Sequence, residues 1–391
     1  MPATKILFSL LVLGTVLGLA GTDLVLPAIP SLPASLTGTI EQSQLVIATF
    51  VAGTAIGLLI FGELGARYDQ RLLMLLALIA YGLLSLLATQ VDSLSELISV
   101  RFFQGLSCSA PAVFAPGIIK SIFDERGALR AIGLMGSIES LTPALAPILG
   151  TWLLSMASWK SSFYLTAILA FTIAFIWAMM FSRIPKLKSK SNQQGYGSLL
   201  LNREFMVHSL SHACTLGGLL IFVFGAPTVI IRSMGGDLSD FVTMQIIGIS
   251  LFIVSANCTH WFVEKLGRDN VILFGSLLTA AGCFSVFLYG LSSYNNPKAL
   301  WLLFVPINLG LGLRGPPGFH RAVVAAGEND ARGAAVLILA ILATAAIGTA
   351  ISAAFIEEGL TPLACVAFLF ALSSPLILLL FKSHLSQHAL K

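Results

Sequence analysis

A chain of 391 residues that is 57% hydrophobic and only 10% charged cannot cover a water-soluble globule, where about a quarter of residues are charged. The formal net charge of +4 is small, and no basic run offers nucleic acid a surface. The composition is that of a polytopic membrane protein, so the placement of the few charges matters more than their sum.

A helix needs about 20 apolar residues to cross the hydrocarbon core. On that measure the chain predicts twelve spans, near 6–27, 43–64, 71–90, 95–117, 131–154, 160–183, 206–231, 241–263, 270–291, 299–320, 333–355 and 361–382. The first could pass for a secretory signal. Its length and its acid, Asp23 in GTDLVLPAIP (21–30), argue against cleavage. Pro27 and Pro30 are expected to end that helix. Cys108, Cys214, Cys258, Cys283 and Cys365 lie in apolar runs without a CxxC pair. They read as small fillers of helix interfaces rather than a disulfide or zinc framework.

Basic residues set the orientation. With the N-terminus in the cytoplasm, seventeen of the Lys and Arg residues fall on the cytoplasmic side and three, Lys160, Arg232 and Lys298, outside. That split predicts cytoplasmic N- and C-termini. The polar stretch PKLKSKSNQQGYGS at 185–198 is basic and short of apolar residues. It predicts a flexible linker, 185–205, between six-span halves at 1–184 and 206–391.

The halves echo each other at an offset of about 200 residues: GELGARYDQR (62–71) follows span two and HWFVEKLGRD (260–269) follows span eight. Six plus six spans around a cytoplasmic linker is a transporter layout, with substrate held near the midplane between the halves. The first loop resembles the GxLaDRxGRR signature of the major facilitator superfamily. Gly62, Leu64, Arg67 and Arg71 match, while Ala66 and Asp69 replace the usual Asp and second Gly. The second copy keeps Glu264, Lys265, Gly267 and Arg268. The resemblance implies a charge clasp at a cytoplasmic gate, whose first-half acid Ala66 removes unless Asp69 substitutes. RFFQGLS (101–107) resembles the span-four signature RxxQG in Arg101, Gln104 and Gly105. PALAPILG, with Pro143, Pro147 and Gly150, resembles the span-five motif of drug/proton antiporters, and WKSSFY (159–164) the segment opening span six. Asp23 followed by LPAIP resembles the D-x-x-LPALP of the Bcr/CflA drug-resistance subgroup. The resemblance covers essentially the whole chain. It implies an all-α fold of two six-helix bundles, no cofactor, a monomer, and a cell inner membrane location.

Four formal charges lie well inside spans: Asp23, Arg101, Glu139 and Arg314. Such residues usually face a cavity or a partner. At about 1.5 Å per residue, Asp23 and Arg101 lie at similar depths on the outer side, and Glu139 and Arg314 on the inner side. A pair of Asp23 with Arg101 would make a proton switch driven by helix motion; a fixed structural pair or a snorkelling carboxylate is the plainer reading. Glu139 and Arg314 could latch the cytoplasmic gate, form a structural pair, or divide into a second proton site and an anion contact. Gly312, Gly315, Pro316, Pro317 and Gly318 around Arg314 make span ten either a hinge or a tight packing surface. His208 and His212 share a helix face, but no third metal ligand is evident. Gln104, Gly105, Gln245, Asn257 and Asn308 are candidates to line the cavity. No GxSG or HExxH motif suggests an intramembrane enzyme, and the sparse charges supply no channel rings. The reading is a proton-coupled secondary transporter that exports hydrophobic or cationic drugs. Its rivals move an anionic metabolite or siderophore-like carboxylate, or sense without transporting.

Overall fold

In lipid a backbone N–H or C=O has no water to bond, so each apolar stretch satisfies itself as a helix. The computed structural model describes residues 2–38, 40–186, 195–292, 294–327 and 329–385. Residues 187–194 of the expected linker lie outside the described residues. Among those described, the long helices are α1 (Pro2–Asp23), α2 (Ile40–Arg67), α3 (Gln70–Ala88), α4 (Leu94–Ile122), α5 (Glu125–Met156), α6 (Lys160–Met179), α7 (Arg203–Arg232), α8 (Leu238–Leu266), α9 (Arg268–Leu291), α10 (Val305–Ala325), α11 (Asp330–Ala353) and α12 (Leu360–Leu385). Eleven pass as membrane spans by length and hydropathy, and α5 makes a twelfth when its two bent parts count as one. The chain is a multi-pass membrane protein.

Several of the chain's few polar residues cap helices. Asp69, Ser93, Asp124, Asn202 and Asp237 each accept a bond from a first-turn N–H of α3, α4, α5, α7 and α8, groups that have no intrahelical partner. α1 stops at Asp23, four residues before the expected end, and a 3₁₀ turn at Leu26–Ser31 carries Pro27. α5 bends by 43° between Glu125–Pro143 and Leu145–Met156. Pro147 has no N–H to give the Pro143 carbonyl, so one rung of the helix is missing at the bend.

The helices form two compact units. One comprises Met1–Ala128, Ile138–Gly195 and Gly327–Ala335; the other comprises Leu129–Ser137, Tyr196–Ala326 and Val336–Lys391. In the first, α4 packs against α1, α2 and α3, and α3 against α6; in the second, α10 packs against α7, α8 and α9, and α9 against α12. The pairings repeat with every helix number raised by six. The internal echo of the sequence is thus an echo of packing.

Small residues make the close crossings. A Cβ on Gly53 or Gly57 of α2 would run into the α4 backbone at Phe102 and Leu106, and one on Gly105 would strike the Phe50 carbonyl of α2. Gly105 was expected at a cavity; it lets two helices touch instead. In the second unit Gly275 and Gly310 each leave room for the other's carbonyl across α9 and α10. Without a hydrophobic drive between helices in lipid, such contact is a main source of association.

Candidate functional site

The sequence motifs of the first unit converge on one place, the last turn of α1. A helix leaves its final carbonyls without partners. Here the Leu24 amide takes the Ala20 carbonyl at 2.9 Å and the Val25 amide the Thr22 carbonyl at 3.2 Å. Arg101 of α4 takes another: its Nη2 donates to the Gly21 carbonyl at 3.0 Å. Beyond it, Ser162 of the WKSSFY segment donates to the Leu24 carbonyl at 3.0 Å. Gly150 of the span-five motif lies so close to that carbonyl that a Cβ there would collide with it. Three helices therefore hold the turn that carries Asp23.

Arg101 is 1% exposed. Its Nε donates to the Val46 carbonyl at 3.3 Å and its Nη1 to Gln104 Oε1 at 3.2 Å, while its guanidinium lies 4.0 Å from the Phe50 ring centroid. Gln104 is passed on to Ser85 Oγ at 2.9 Å, and Ser85 to the Tyr81 carbonyl at 2.7 Å. Gln104 is thus part of a buried hydrogen-bond chain rather than a cavity wall. The expected Asp23–Arg101 ion pair is absent from this conformation. Arg101 bonds the backbone two residues before the acid, where a cation also suits the negative end of a helix dipole. Asp23 is half-buried, and no hydrogen bond or ion pair is found for its carboxylate among the described residues. A carboxylate in a helix's last turn opposes the dipole, so the residue is badly placed for stability alone.

Glu139 lies on α5, four residues before Pro143, whose missing N–H leaves the Glu139 carbonyl without its helical partner. Its carboxyl group meets the Thr15 hydroxyl of α1.

At the other end of the first unit the gate-loop motif holds a cluster of ion pairs, built around an acid that the signature match passed over. Glu63 Oε2 accepts from Arg332 Nε at 2.7 Å and Oε1 from Arg332 Nη2 at 3.0 Å, a two-pronged bond. Glu63 also accepts from Arg67 Nε at 2.7 Å. Lys120 Nζ reaches Asp330 Oδ1 at 2.7 Å. Glu63 stands three residues before Ala66, on the same helix face, which is the signal that could have found it. Asp69, the expected substitute, does different work. It caps α3 and holds Arg71, whose Nη1 reaches the Ile184 carbonyl at 3.2 Å. The Arg71 hydrogen bond holds the Asp69 carboxyl below its ordinary range. In the second copy Gly267 adopts φ +80° between α8 and α9, a conformation that disfavours any other residue. Asp69 needs no such freedom at φ −66°, which explains why the first copy tolerates an acid in that place.

The cluster divides by exposure. The Arg332 side chain is 5% exposed against 65% for Arg67. Glu63→Gln should therefore loosen the first turn of α11, since a charge-assisted buried bond is worth about 1.5–3 kcal/mol. Arg67→Gln should cost about 0.3–0.5 kcal/mol, as an exposed i,i+4 pair does. Hydrogen exchange at 330–335 is the measurement; equal acceleration in both variants would contradict this division.

In the second unit Arg314 is 0% exposed. Its Nη1 donates to the Ser211 carbonyl at 3.0 Å and to Thr215 Oγ1 at 2.8 Å, and its Nη2 to Ser211 Oγ at 3.0 Å. The hydroxyls continue through Ser374 to Ser276. His208, Ser211, His212 and Thr215 form one stripe of α7 at i, i+3, i+4 and i+7. The sequence showed the two histidines of that stripe but not its partner. α10 runs unbroken through Pro316 and Pro317, and the Gly312 carbonyl that Pro316 cannot serve accepts from Thr259 at 3.0 Å. Its glycines face Ser255, Phe252 and Ala256 of α8 and His212 of α7, so the packing-surface reading of this segment fits. Asn308 bonds within its own helix, 3.0 Å from the Phe304 carbonyl, and fills the space beside Gly248. It packs α8 against α10. Asn257 Nδ2 donates to Ser137 at 2.9 Å. Among the described residues no three His, Cys, Asp or Glu side chains gather as metal ligands.

Two internally repeated helical units around buried arginines match a known architecture. A sequence model of the Major Facilitator Superfamily matches residues 11–353. The chain belongs to that superfamily. It is 24% identical over 261 residues to the bicyclomycin resistance protein homolog of Haemophilus influenzae, a match covering 64% of this chain and 65% of that one. It is 24% identical over 238 residues to the multidrug resistance protein MdtL of Citrobacter koseri, covering 60% and 61%. The matches thus span less than two thirds of these relatives. Among solved structures, FucP, a Major Facilitator Superfamily transporter in the outward conformation, superposes with a TM-score of 0.73 at 14% identity, over 96% of this chain and 98% of that one. A bacterial homologue of the iron transporter ferroportin does so with a TM-score of 0.74 at 12% identity, over 96% and 99%. The superfamily is the one its motifs implied, and the Bcr/CflA likeness is matched by a relative bearing the bicyclomycin resistance name.

Proposed function

We propose that this transporter exports hydrophobic, cationic compounds across the bacterial inner membrane in exchange for protons, by alternating access. In this reading it works as a monomer with both termini in the cytoplasm. The observation that carries the charge preference is the state of its intramembrane ions. Both arginines are buried and bonded inside their own units. Asp23 has a carboxylate with no partner among the described residues, and is available to take a proton or face a cation. The anionic-substrate alternative rested on Arg314, which is closed to solvent and turned onto α7. A latch between Glu139 and Arg314 would require a conformation in which Arg314 releases Ser211 and Thr215. The names of the relatives, multidrug and bicyclomycin resistance, support export of drugs.

Asp23 serves this function through its setting. Arg101, Ser162 and Gly150 hold the backbone of its turn, while the side chain stays free to exchange a proton. Glu63 and Arg332 hold the start of α11 in the conformation seen here, and their release would belong to the opposite state.

The test uses purified protein in proteoliposomes with an imposed pH gradient. Accumulation of a fluorescent lipophilic cation, driven by the gradient and cancelled by a protonophore, is the expected result. Gradient-driven movement of an organic acid with no response to the cation would replace this reading by the anionic one. Failure to move any solute would favour a sensor.

A further inference from the structure

We propose that the second unit holds one small monovalent anion, of halide size, against the free edge of the Arg314 guanidinium. This site is separate from the transport reading above and does not depend on it.

A guanidinium has five N–H donors, arranged in forks. In Arg314 both Nη1 hydrogens are engaged, by the Ser211 carbonyl and Thr215 Oγ1, and one Nη2 hydrogen by Ser211 Oγ. Nε is buried with no partner. The remaining Nη2 hydrogen and the Nε hydrogen lie on the same edge of the planar group. That edge is a two-pronged donor without an acceptor among the described residues.

The charge is as exposed electrostatically as the edge is chemically. All the protein groups bonded to Arg314 are neutral, and no carboxylate among the described residues pairs with it. A fully buried guanidinium without a counter-charge is strongly unfavourable, and buried charges are paired or neutralised as a rule.

The surroundings fit a small anion. A Cβ on Gly318 would lie 3.1 Å from His212 Nδ1 and 3.4 Å from Arg314 Nη2. The missing side chain thus leaves His212 Nδ1 and the Arg314 guanidinium against the same glycine. His212 is 5% exposed and its Nδ1 has no partner; in the tautomer protonated there it adds a third donor. His208, one turn earlier on the same stripe, is 3% exposed and has no partner at either ring nitrogen. Buried polar atoms left in this number call for an unseen ion or water. The positive charge selects an anion over water, and closure to solvent selects a single atom over an organic acid.

The experiment is thermal unfolding of the whole detergent-solubilised protein after exchange into sodium gluconate, titrated with sodium chloride or bromide at constant ionic strength. Halide should raise the melting temperature along a saturating curve. At ten times Kd the folded-to-unfolded ratio rises about elevenfold. Arg314→Gln could fail to fold, so the second variant is Arg314→Lys, which keeps the charge and removes the two-pronged edge. Measured against its own melting in gluconate, it should lose most of the halide response. Coincident melting curves in gluconate and halide would overturn the proposal and leave water as the occupant. A full halide response in Arg314→Lys would overturn it by placing the ion elsewhere.

Discussion

Asp23→Asn is expected to abolish pH-gradient-driven transport while leaving substrate exchange intact. The substitution removes the only chemistry that distinguishes the side chain, a proton that can come and go, and keeps its shape. It orphans no protein atom, because no hydrogen bond or ion pair is found for the carboxylate. It also removes a negative charge from the last turn of α1, where the helix dipole disfavours one by about 0.3–1 kcal/mol. Stability should therefore stay level or rise slightly while coupling is lost. That separation matters, because a merely structural acid would show the reverse: a less stable protein that still couples. The paired measurements are gradient-driven accumulation and counterflow in the same proteoliposomes, with thermal unfolding alongside. Full gradient-driven transport by the Asn variant would remove Asp23 from the mechanism.

Arg101→Ala should do the opposite and damage the fold first. It leaves the Gly21 carbonyl and Gln104 Oε1 buried without a donor and takes a second donor from the Val46 carbonyl, which lies within α2. Each such acceptor costs about 1–3 kcal/mol, less where water can enter. Losing contact with the Phe50 ring adds a cation–π term of roughly 2 kcal/mol in a desolvated site. The Lys variant separates two explanations of Arg101. If the residue served Asp23 by charge alone, Lys would restore function. If it serves by holding three acceptors from α1, α2 and α4 in one plane, a point charge on a flexible stem cannot reach them all. We expect Arg101→Lys to melt nearly as early as Arg101→Ala and to keep the altered pH dependence of transport. A Lys variant with wild-type stability and pH profile would return Arg101 to the role of a simple counter-charge.

Much of the architecture could be read from the residues in order. Twelve apolar stretches became helices because lipid permits the backbone few other states. The echo between halves was legible as paired loops, and packing repeats it with a shift of six helices. Pro143 and Pro147 were legible as a span-five motif, while the 43° bend of α5 came from the structure. The superfamily, too, was carried by short motifs whose order along the chain is enough to recognise them.

Partnership was not legible in the same way. Depth along a helix can be counted from sequence, and it placed Asp23 and Arg101 at one level. It says nothing of which way each faces, nor of backbone carbonyls that compete for a guanidinium. Arg101 chose the open end of α1, and Arg314 a stripe of hydroxyls on α7, because several fixed acceptors satisfy a five-donor group better than one carboxylate. Gly105 and Asn308 read as cavity residues and proved to be contacts between helices. The acid of the gate loop moved from Ala66 to Glu63, one turn away on the same face, a shift that no linear match tolerates and a helix surface absorbs. What the sequence by itself determined here is the local: which segments are helical and in what order they come. Only the tertiary structure decided which charges meet, because that depends on rotation about helix axes and on small-residue crossings that bring distant backbone within reach.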